Sequence, residues 1–491
     1  MKIFLVNPPF KTEYGKFSRD QRSPAITKSG TIYYPTWLAS ATGVLEEAGH
    51  TCKLLDCCAR QWDDAKTLPI IQNFVPDMVV INTSTPSIYS DCTFAEKVRE
   101  LLPKTYLIAV GTHPSAVPEE TLKTGKALNA VARREYEYTL RNLATMLDKG
   151  EEDLSQVLGL TYRKANGEIV STPDRPFIQD LDKLPFVAKV YKEHGIDPKD
   201  YFFAAAEYPM MMIFAGRGCP NNCFFCVYPQ TFHGRHQYRL RSPENVVAEI
   251  EYILQNFPEL KSLGFEDDTF TASLERTKKI CQLMIDKGLN KKINWWVNAR
   301  VTLDLATMQL MKKAGCRLLI AGFESGAQQV LNGMHKGIKV EWSKKYVENA
   351  RKAGLLIHGC YMVGNPGETR ETMEETFQLS LALNTDTAQY FPLMVYPGTE
   401  AYKWAETNGY LTTTDYSKWV TEDGLHNCVI SLPGLSNKDL VAFCDQARKR
   451  YYVRPSYLAA KAKQFLLYPE ERKRLLKAGK RFAKFLVKKD D

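Results

Sequence analysis

Short apolar runs alternate with amphipathic helical stretches over residues 1–150. The runs that predict strands are 2–6, 52–55, 77–82, 106–110 and 130–132. This alternation predicts an α/β domain with a Rossmann-like, doubly wound parallel sheet, which binds ligands at the carboxyl ends of its strands. None of the loops at those ends contains a G-x-G-x-x-G motif, so a dinucleotide is not the expected ligand.

The alternation returns over residues 206–425, after a connector at 151–205 that contains a hairpin and several prolines. The second stretch predicts about six βα units and therefore a partial (β/α)6 barrel of the TIM type. Its predicted strands include 262–266, 293–298, 317–322, 357–363 and 387–394. Residues 426–491 predict a basic, helical C-terminal region.

The composition is that of a globular protein with two or three domains. Of the 491 residues, 44% are hydrophobic and 25% are charged, which does not favour disorder. No uncharged apolar run is long enough for a transmembrane helix, and the first residues predict a strand and a turn rather than a signal peptide. We therefore expect a cytoplasmic protein whose 12 cysteines are thiols or metal ligands rather than disulfides.

The net charge of +9 is concentrated at the C-terminus, where residues 445–491 hold 15 Lys and Arg against 5 Asp and Glu. A nucleic-acid enzyme more often carries basic residues around its active domain, so no nucleic-acid partner is expected. The tail has two interpretations: an amphipathic helix packed on the barrel, or a peripheral contact with anionic lipid or a phosphorylated substrate. Its apolar residues at helical spacing are Leu475, Leu476, Phe482, Phe485 and Leu486.

Three cysteines with the spacing C-x3-C-x2-C follow the apolar run 210–214: Cys219, Cys223 and Cys226. They lie at the carboxyl end of a predicted strand, where three thiolates on one loop can face a single cluster. Cubane iron–sulfur clusters normally take four cysteines, so three suggest a 4Fe–4S cluster with one iron open to an outside ligand. The alternatives are a disulfide, packed thiols or a zinc site, although zinc prefers two cysteine pairs and no second pair follows.

This loop, with Phe225 before its last cysteine, resembles the signature of the radical S-adenosylmethionine (SAM) superfamily. The resemblance implies that the three cysteines ligate the cluster, that the open iron binds the amino and carboxylate groups of SAM, and that Phe225 contacts SAM. In that family an electron from the cluster cleaves SAM to a 5'-deoxyadenosyl radical, which abstracts a hydrogen atom from the substrate.

Polar residues follow successive strands of the predicted barrel, where a SAM site would lie. They are Asp267, Asp268, Arg300, Glu324, Ser325, Gly364, Asn365 and Pro366. An aspartate suits the ammonium of SAM, the arginine its carboxylate, and the Glu-Ser pair its ribose hydroxyls, while a glycine turn lets the backbone approach adenine. These motifs are similar to the SAM contacts of the radical SAM family. The alternative for each one is a helix N-cap or a tight turn.

The first domain resembles the cobalamin-binding domain at the N-terminus of many radical SAM enzymes. The resemblance implies cobalamin contacts at Asn7, Pro8, Asp56, Thr83, Ser84, Thr85, Gly111, His113 and Glu135. The motif D-x-H-x-x-G is absent, so no histidine is positioned as a lower axial ligand to cobalt. The alternative is a domain kept as a scaffold or substrate cover, without cobalamin.

Two stretches border the expected site. Tyr228, His233, Arg235 and His236 lie just beyond the cluster loop, and we expect them to serve local structure rather than catalysis. The stretch 395–400, which follows the last predicted strand, is expected to help close the substrate side.

Across nearly its whole length the chain is similar to the cobalamin-dependent radical SAM enzymes, which include anaerobic magnesium-protoporphyrin monomethyl ester cyclases, hopanoid-pathway proteins and phosphonate methylases. The resemblance implies methylation of an unactivated carbon in a small-molecule, lipid or glycan-precursor substrate, with an electron donor such as ferredoxin or flavodoxin. One alternative keeps the radical but transfers no methyl group, as in cyclisation, oxidation or dehydration. Another, of a different class, is an iron–sulfur electron-transfer or redox-sensing protein.

Overall fold

The computed structural model describes residues 1–467 together with residues 472, 475, 476 and 479. The tail prediction for Phe482, Phe485 and Leu486 lies outside this part of the chain. Among the described residues, no helix combines the length and the apolar character needed to cross a bilayer.

The first sheet has seven strands in the order β4-β1-β5-β6-β7-β8-β9. The strands are β1 Lys2–Asn7, β4 Thr51–Asp56, β5 Met78–Asn82, β6 Tyr106–Val110, β7 Ala130–Ala132, β8 Leu160–Arg163 and β9 Ile169–Ser171. The helices are α1 Thr36–Glu47, α2 Cys57–Arg60, α3 Asp64–Phe74, α4 Ile88–Leu101, α5 Thr112–Ala116, α6 Pro118–Thr124 and α7 Glu137–Asp148. The five strands predicted over residues 1–150 are present to within one residue at each end.

Strands β1, β4, β5, β6 and β7 are parallel, and the hairpin of β8 and β9 adds to β7 in the antiparallel sense. Every residue of β5 is buried, because helices cover both faces of the sheet, and its sequence is accordingly almost all apolar. The sequence placed the hairpin in a connector between the domains. It instead extends the first sheet to residue 171.

The second sheet has six parallel strands in sequence order, β10-β13-β14-β15-β16-β17. Its strands are β10 Met210–Ile213, β13 Ser262–Phe265, β14 Asn294–Ala299, β15 Cys316–Glu324, β16 Leu356–Val363 and β17 Thr387–Pro392. The helices around it are α9 Pro243–Asn256, α10 Leu274–Asp286, α11 Leu305–Lys313, α12 Gln328–Gly333, α13 Val340–Ala353 and α14 Arg370–Leu383. This confirms the expected α/β architecture of a partial (β/α)6 barrel behind a Rossmann-like domain.

The remaining helices connect and close the two sheets. They are α8 Val187–Glu193, α15 Glu400–Thr407, α16 Asn437–Val453 and α17 Pro455–Leu467. Helix α16 packs on the edge strand β17, where the hydroxyl of Tyr452 accepts the N–H of Ala388 and donates to its carbonyl. The expected helical C-terminal region is therefore present.

Buried ion pairs join the two domains. Arg217 donates to Glu137 at 2.5 Å, and the guanidinium of Arg239 binds both oxygens of Glu135. His233 lies 3.0 Å from Glu135 as well, and each of these side chains is at most 7% exposed. Removing one partner of such a pair leaves an uncompensated buried charge, so this network fixes how the domains sit together.

Residues 8–35, the crossing segment, leave the first sheet after β1 and run across the barrel before α1 begins. A short hairpin of β2 Phe17–Ser18 and β3 Ala25–Ile26 shapes the segment. The N–H of Ile26 then donates to the carbonyl of Gly424, and the hydroxyl of Tyr34 donates to the carbonyl of Met210. The segment therefore touches both the start of the barrel sheet and the region beyond its last strand.

Candidate active site

The three cysteines of the C-x3-C-x2-C loop lie at the carboxyl end of the barrel. The loop is framed by β11 Gly216–Gly218 and β12 Tyr238–Leu240, which pair in the antiparallel sense. Gly218 has φ +80°, and a Cβ there would lie 2.1 Å from the carbonyl oxygen of Gln237, so glycine is required for this close approach. All three cysteines line a single cavity of about 280 Å³.

The chemistry of these thiols fits a cluster better than a lone metal ion. A zinc ion would draw its ligand atoms within about 2.3 Å of one point. No group of three or more Cys, His, Asp or Glu in the described residues is arranged to hold one ion. Burial raises the pKa of both Cys223 and Cys226. The positive charge of Lys336 opposes this rise at Cys223, and that of Arg22 opposes it at Cys226. A bound metal centre would supply the charge that deprotonates them.

The polar side of the cavity carries both signs of charge. The ammonium of Lys336 lies 2.6 Å from an oxygen of Glu324, and Arg300 donates to the carbonyl of Lys336 at 3.3 Å. Asp268 accepts the N–H of Gly218 at 3.1 Å, which ties the end of β13 to the cluster loop. Carboxylates and a guanidinium beside the cysteines match the needs of a zwitterionic amino acid such as the methionine part of SAM.

The nine predicted SAM residues divide into two groups. Phe225, Asp268, Arg300 and Glu324 line the cavity together with the cysteines. Asp267, Ser325, Gly364, Asn365 and Pro366 are not among its lining residues.

Most of the second group has local partners. Asp267 accepts the N–H of Ala215 at 2.6 Å, and Ser325 lies 3.0 Å from the hydroxyl of Thr376. The glycine turn is capped by Glu368, which accepts the N–H of Gly364. Asp267, Ser325 and the N–H of Gly364 are therefore engaged by neighbouring protein groups in the structure. Their contact with SAM stays a prediction.

Several further residues line the cavity and were not singled out from the sequence as site residues, among them Arg22, Ser23, Lys336 and Cys360. Arg22 and Ser23 belong to the crossing segment, almost 200 residues before the cysteines. The hydroxyls of Ser23 and Tyr396 lie 2.9 Å apart, and Tyr396 lines the cavity within the stretch 395–400, whose role in closing the substrate side stays a prediction. Cys360 could have been found from strand periodicity, because it alternates with Met362 on β16 and both side chains line the cavity.

The cavity is also lined by apolar residues. They are Val301, Ile320, Ile338, Met362, Phe391 and Met394. The cavity thus combines charged groups and cysteines with apolar side chains, of which Met362 and Phe391 lie on the last two strands.

The residues just beyond the cysteines have partners within the protein, and their structural role stays a prediction. The hydroxyl of Tyr228 donates to the carbonyl of Asp20 at 2.5 Å, and His233 lies against Glu135. Arg235 forms an ion pair with Glu400 at the start of α15. His236 lies 3.4 Å from the carbonyl of Pro220 and has φ +57°.

The predicted cobalamin residues lie near the carboxyl ends of β1, β4, β5, β6 and β7, and their polar groups contact other protein groups. Asn7 donates to Asp20 at 3.1 Å and accepts from Asn82 at 2.7 Å. The carbonyl of Pro8 accepts from Arg19 and Cys58. Asp56 accepts from Tyr201, and Ser84 lies 2.8 Å from Ser87. Thr85 lies 3.2 Å from His113. Glu135 is engaged in the ion pairs between the domains.

The space at these strand ends is small. A cavity of about 10 Å³ lies there, lined by residues that include Asp20, Thr83 and Gly111. The Trp37 Nε1 and the Tyr136 hydroxyl, which belong to two of its lining residues, are buried without a hydrogen-bond partner in the described part of the chain. That volume suits about one water molecule.

Elements of the second domain cover these strand ends in this arrangement. A π-helical turn, Tyr228–Phe232, packs against α5, and a 3₁₀ turn, Tyr416–Trp419, packs against residues 85–87. The ring of Trp37 contacts Phe232 and His233 across the same interface. The strand ends at which the sequence predicts cobalamin contacts are therefore covered in this structure.

Models of known protein families match both domains of the molecule. The model of the B12 binding domain matches residues 22–144, and that of the Radical SAM superfamily matches residues 213–380. An uncharacterized methyltransferase of Pyrococcus horikoshii is 31% identical and spans 93% of this chain and 94% of its own length. An anaerobic magnesium-protoporphyrin IX monomethyl ester cyclase of Rubrivivax gelatinosus is 27% identical over 78% of this chain and 68% of its own.

The fold is also that of a solved structure with both cofactors. The radical SAM methyltransferase TsrM of Kitasatospora setae, with cobalamin and a 4Fe–4S cluster bound, superposes with a TM-score of 0.70. It covers 93% of this chain and 89% of its own, at 17% identity. The chain belongs to the family of radical SAM enzymes that carry a B12 binding domain, whose cofactors are a 4Fe–4S cluster, SAM and cobalamin.

Proposed function

We propose that this chain is a radical SAM enzyme that methylates an unactivated carbon, with Cys219, Cys223 and Cys226 as the cluster ligands. The observation that carries the proposal is the single cavity of about 280 Å³ in which these cysteines meet residues of both charges and apolar side chains. An electron-transfer or redox-sensing protein would have no need for such a cavity beside its cluster.

The charged groups of the cavity suit the amino-acid part of SAM. When bound, the cluster supplies the electron that splits SAM into methionine and a 5'-deoxyadenosyl radical. Asp268 and Glu324 offer carboxylate oxygens to an ammonium or a ribose hydroxyl, and Arg300 offers a guanidinium to a carboxylate. Lys336 orients Glu324 through their 2.6 Å contact. Asp268, Arg300 and Glu324 each lie at or just after the end of a strand, so they are pre-organised for binding.

The apolar residues of the cavity suit the substrate. Met362, Phe391 and Met394 come from the last two strands and the turn after them, on the side away from Asp268 and Arg300. Apolar side chains bind a carbon group and exclude water from a radical site. We infer a small-molecule, lipid or glycan-precursor substrate whose reacting carbon belongs to an apolar portion.

The proposal includes a partner, a location and an organisation of the chain. The cluster needs a low-potential electron donor, such as a ferredoxin or flavodoxin, and we place the enzyme in the cytoplasm with no nucleic-acid partner.

The domain boundaries we propose are 1–150, 151–205, 206–425 and 426–491, with the hairpin of the second range attached to the first sheet.

Anaerobic reconstitution with iron and sulfide tests the cluster assignment. After addition of dithionite and SAM, the wild-type enzyme should form 5'-deoxyadenosine, and Cys219→Ala, Cys223→Ala and Cys226→Ala should form none. Cys281→Ala, a buried cysteine on α10 outside the cavity, is the matched control and should retain cleavage. A cluster-loop variant with wild-type cleavage would refute the assignment.

A second candidate is a radical SAM reaction without methyl transfer, such as cyclisation, oxidation or dehydration. It is favoured by the covered strand ends of the first domain, where the cavity measures about 10 Å³. The relative from Rubrivivax gelatinosus, which carries the name of a cyclase, is consistent with it. The amount of corrinoid retained per cluster separates the two candidates.

A further inference from the structure

One short stretch of the crossing segment, residues 20–23, contacts both domains at once. The Asp20 carboxylate accepts hydrogen bonds from Asn7 and Asn82 at the strand ends of the first sheet. Its carbonyl accepts the hydroxyl of Tyr228, two residues after the last cluster cysteine. Arg22 then enters the barrel. The stretch is therefore the point where the first domain meets the cluster loop and the proposed SAM site.

Arg22 makes a forked contact with the end of β13. Its Nη1 lies 2.7 Å from Oε1 of Glu266, and its Nη2 lies 3.3 Å from Oδ1 of Asp268. The same Nη2 donates to the carbonyl of Asp267 at 3.0 Å. The guanidinium also lies 5.5 Å above the ring of Tyr228, which holds it from the other side.

These contacts matter because the two carboxylates are almost inaccessible. The side chains of Glu266 and Asp268 are each 3% exposed, two positions apart on one strand end. Without a cation between them, two such carboxylates repel each other and lose their fixed orientation. Asp268 is also bonded to Gly218 of the cluster loop, so its position depends on contacts from both sides.

We propose that Arg22 is a positioning residue of the SAM site, supplied by the first domain. It holds Asp268 and Glu266 in the orientation that receives SAM, and it places a positive charge next to the cluster. Arg22 and Cys226 line the same cavity, and the reduction potential of a cluster responds to charge near its sulfurs. The inference rests on the proposed function, because it takes Asp268 as a SAM contact.

Arginine is the residue that this geometry requires. A planar guanidinium can donate to two carboxylates and a carbonyl at once, whereas the ammonium of lysine is a point charge without the fork. Arg22→Lys should therefore keep the electrostatic effect on the cluster and lose part of the orientation of Asp268. Arg22→Gln should lose both.

The experiment compares three variants of the reconstituted full-length enzyme. Arg22→Gln removes the charge, Arg22→Lys keeps it, and Arg60→Gln is the matched control. Arg60 is 26% exposed against 28% for Arg22, pairs with Asp200 and lies 4.9 Å above the ring of Trp62, outside the SAM cavity. The readouts are the dissociation constant of SAM by equilibrium dialysis and the reduction potential of the cluster by titration followed by electron paramagnetic resonance.

Arg22→Gln should weaken SAM binding about tenfold, as expected for a lost hydrogen bond to a charged group. It should also shift the cluster potential to a more negative value. Arg22→Lys should keep the wild-type potential and show intermediate SAM affinity, and Arg60→Gln should match the wild type in both. Wild-type values of both quantities in Arg22→Gln would overturn the inference. Failure of the wild-type enzyme to bind SAM would instead refute the proposed function.

Discussion

The imidazole of His113 meets the ring of Tyr416 edge-on, with the ring centroids 4.8 Å apart and the planes at 77°. His113 begins the helix after β6, and Tyr416 belongs to a 3₁₀ turn beyond the barrel. Burial lowers the pKa of His113 to about 3, so the ring is neutral at pH 7 and packs as an aromatic group. The contact closes the strand ends on which a cobalamin-binding domain would hold its ligand.

We expect Tyr416→Ala to take up hydroxocobalamin several-fold faster than the wild-type enzyme, because removal of the ring opens this interface. The measurement is corrinoid retained per cluster after anaerobic reconstitution and desalting, followed over time. Tyr252→Ala on α9 is the control for loss of a tyrosine elsewhere.

The amount of corrinoid retained also decides between the two candidate functions. Near-stoichiometric corrinoid would support methyl transfer and direct the search to substrates that gain one carbon. A cluster-loaded enzyme that retains no corrinoid, even as Tyr416→Ala, would make the first domain a scaffold and favour radical chemistry without methyl transfer. Equal uptake by wild type and Tyr416→Ala would show that the ring does not limit entry.

The neighbours Asp267 and Asp268 should respond differently to the same substitution. Asp268→Ala should weaken SAM binding about tenfold, since Asp268 lines the cavity. Asp267→Ala should instead act on stability and destabilise the enzyme by about 1–3 kcal/mol, because it removes the acceptor of the buried N–H of Ala215. Equilibrium dialysis with SAM and thermal unfolding check the two outcomes. A reversed pattern would move the SAM contact to Asp267.

Asp20 should make the stability of the enzyme depend on pH. Burial raises its pKa to about 7, so the folded state holds a proton that the unfolded state releases near pH 4. Its contribution to stability is therefore full below about pH 4 and is lost as the pH rises towards 7. Asp20→Asn, which stays neutral, should gain about 1–3 kcal/mol relative to wild type between pH 5 and pH 8.

Urea denaturation of the cluster-loaded enzyme at several pH values measures this difference. Asp286→Asn, the same change at an exposed position of α10, controls for the loss of one negative charge. A constant difference between Asp20→Asn and wild type over this pH range would show that Asp20 does not hold the proton.

Gly111 is required by both its backbone angle and its surroundings. Its φ is +116°, and a Cβ there would lie 2.3 Å from the carbonyl oxygen of Thr83. Gly111→Ala should destabilise the first domain by about 3–5 kcal/mol, since the clash is with backbone. Gly150 has φ +75°, and a Cβ there would have no atom within 4 Å. Gly150→Ala should therefore lower the free energy of unfolding by only about 1 kcal/mol, because the backbone angle alone is unfavourable. Thermal unfolding distinguishes them, and equal losses would mean that the loop at Thr83 can adjust.

The sequence by itself determined the architecture and the cluster loop. Buried parallel strands read as apolar runs, helices repeat their apolar residues every three to four positions, and both patterns are local. The predicted strands also show where each strand ends. Because the carboxyl ends of the strands lie on one side of the barrel, this places Asp268, Arg300 and Glu324 near the cysteines. The spacing of Cys219, Cys223 and Cys226 is likewise contained in eight residues of one loop.

Only the tertiary structure decided which residues from distant parts of the sequence enter the site. It also decided which of two neighbouring residues faces the cavity. Arg22 reaches the cavity because residues 8–35 cross from one domain to the other, and no local pattern in that loop specifies its path. Asp267 and Asp268 are equivalent in sequence, but successive residues at a strand end point in different directions, and only the fold sets which one faces the cavity. The closure of the first domain by Tyr416 is a contact across about 300 residues, fixed by packing rather than by pattern.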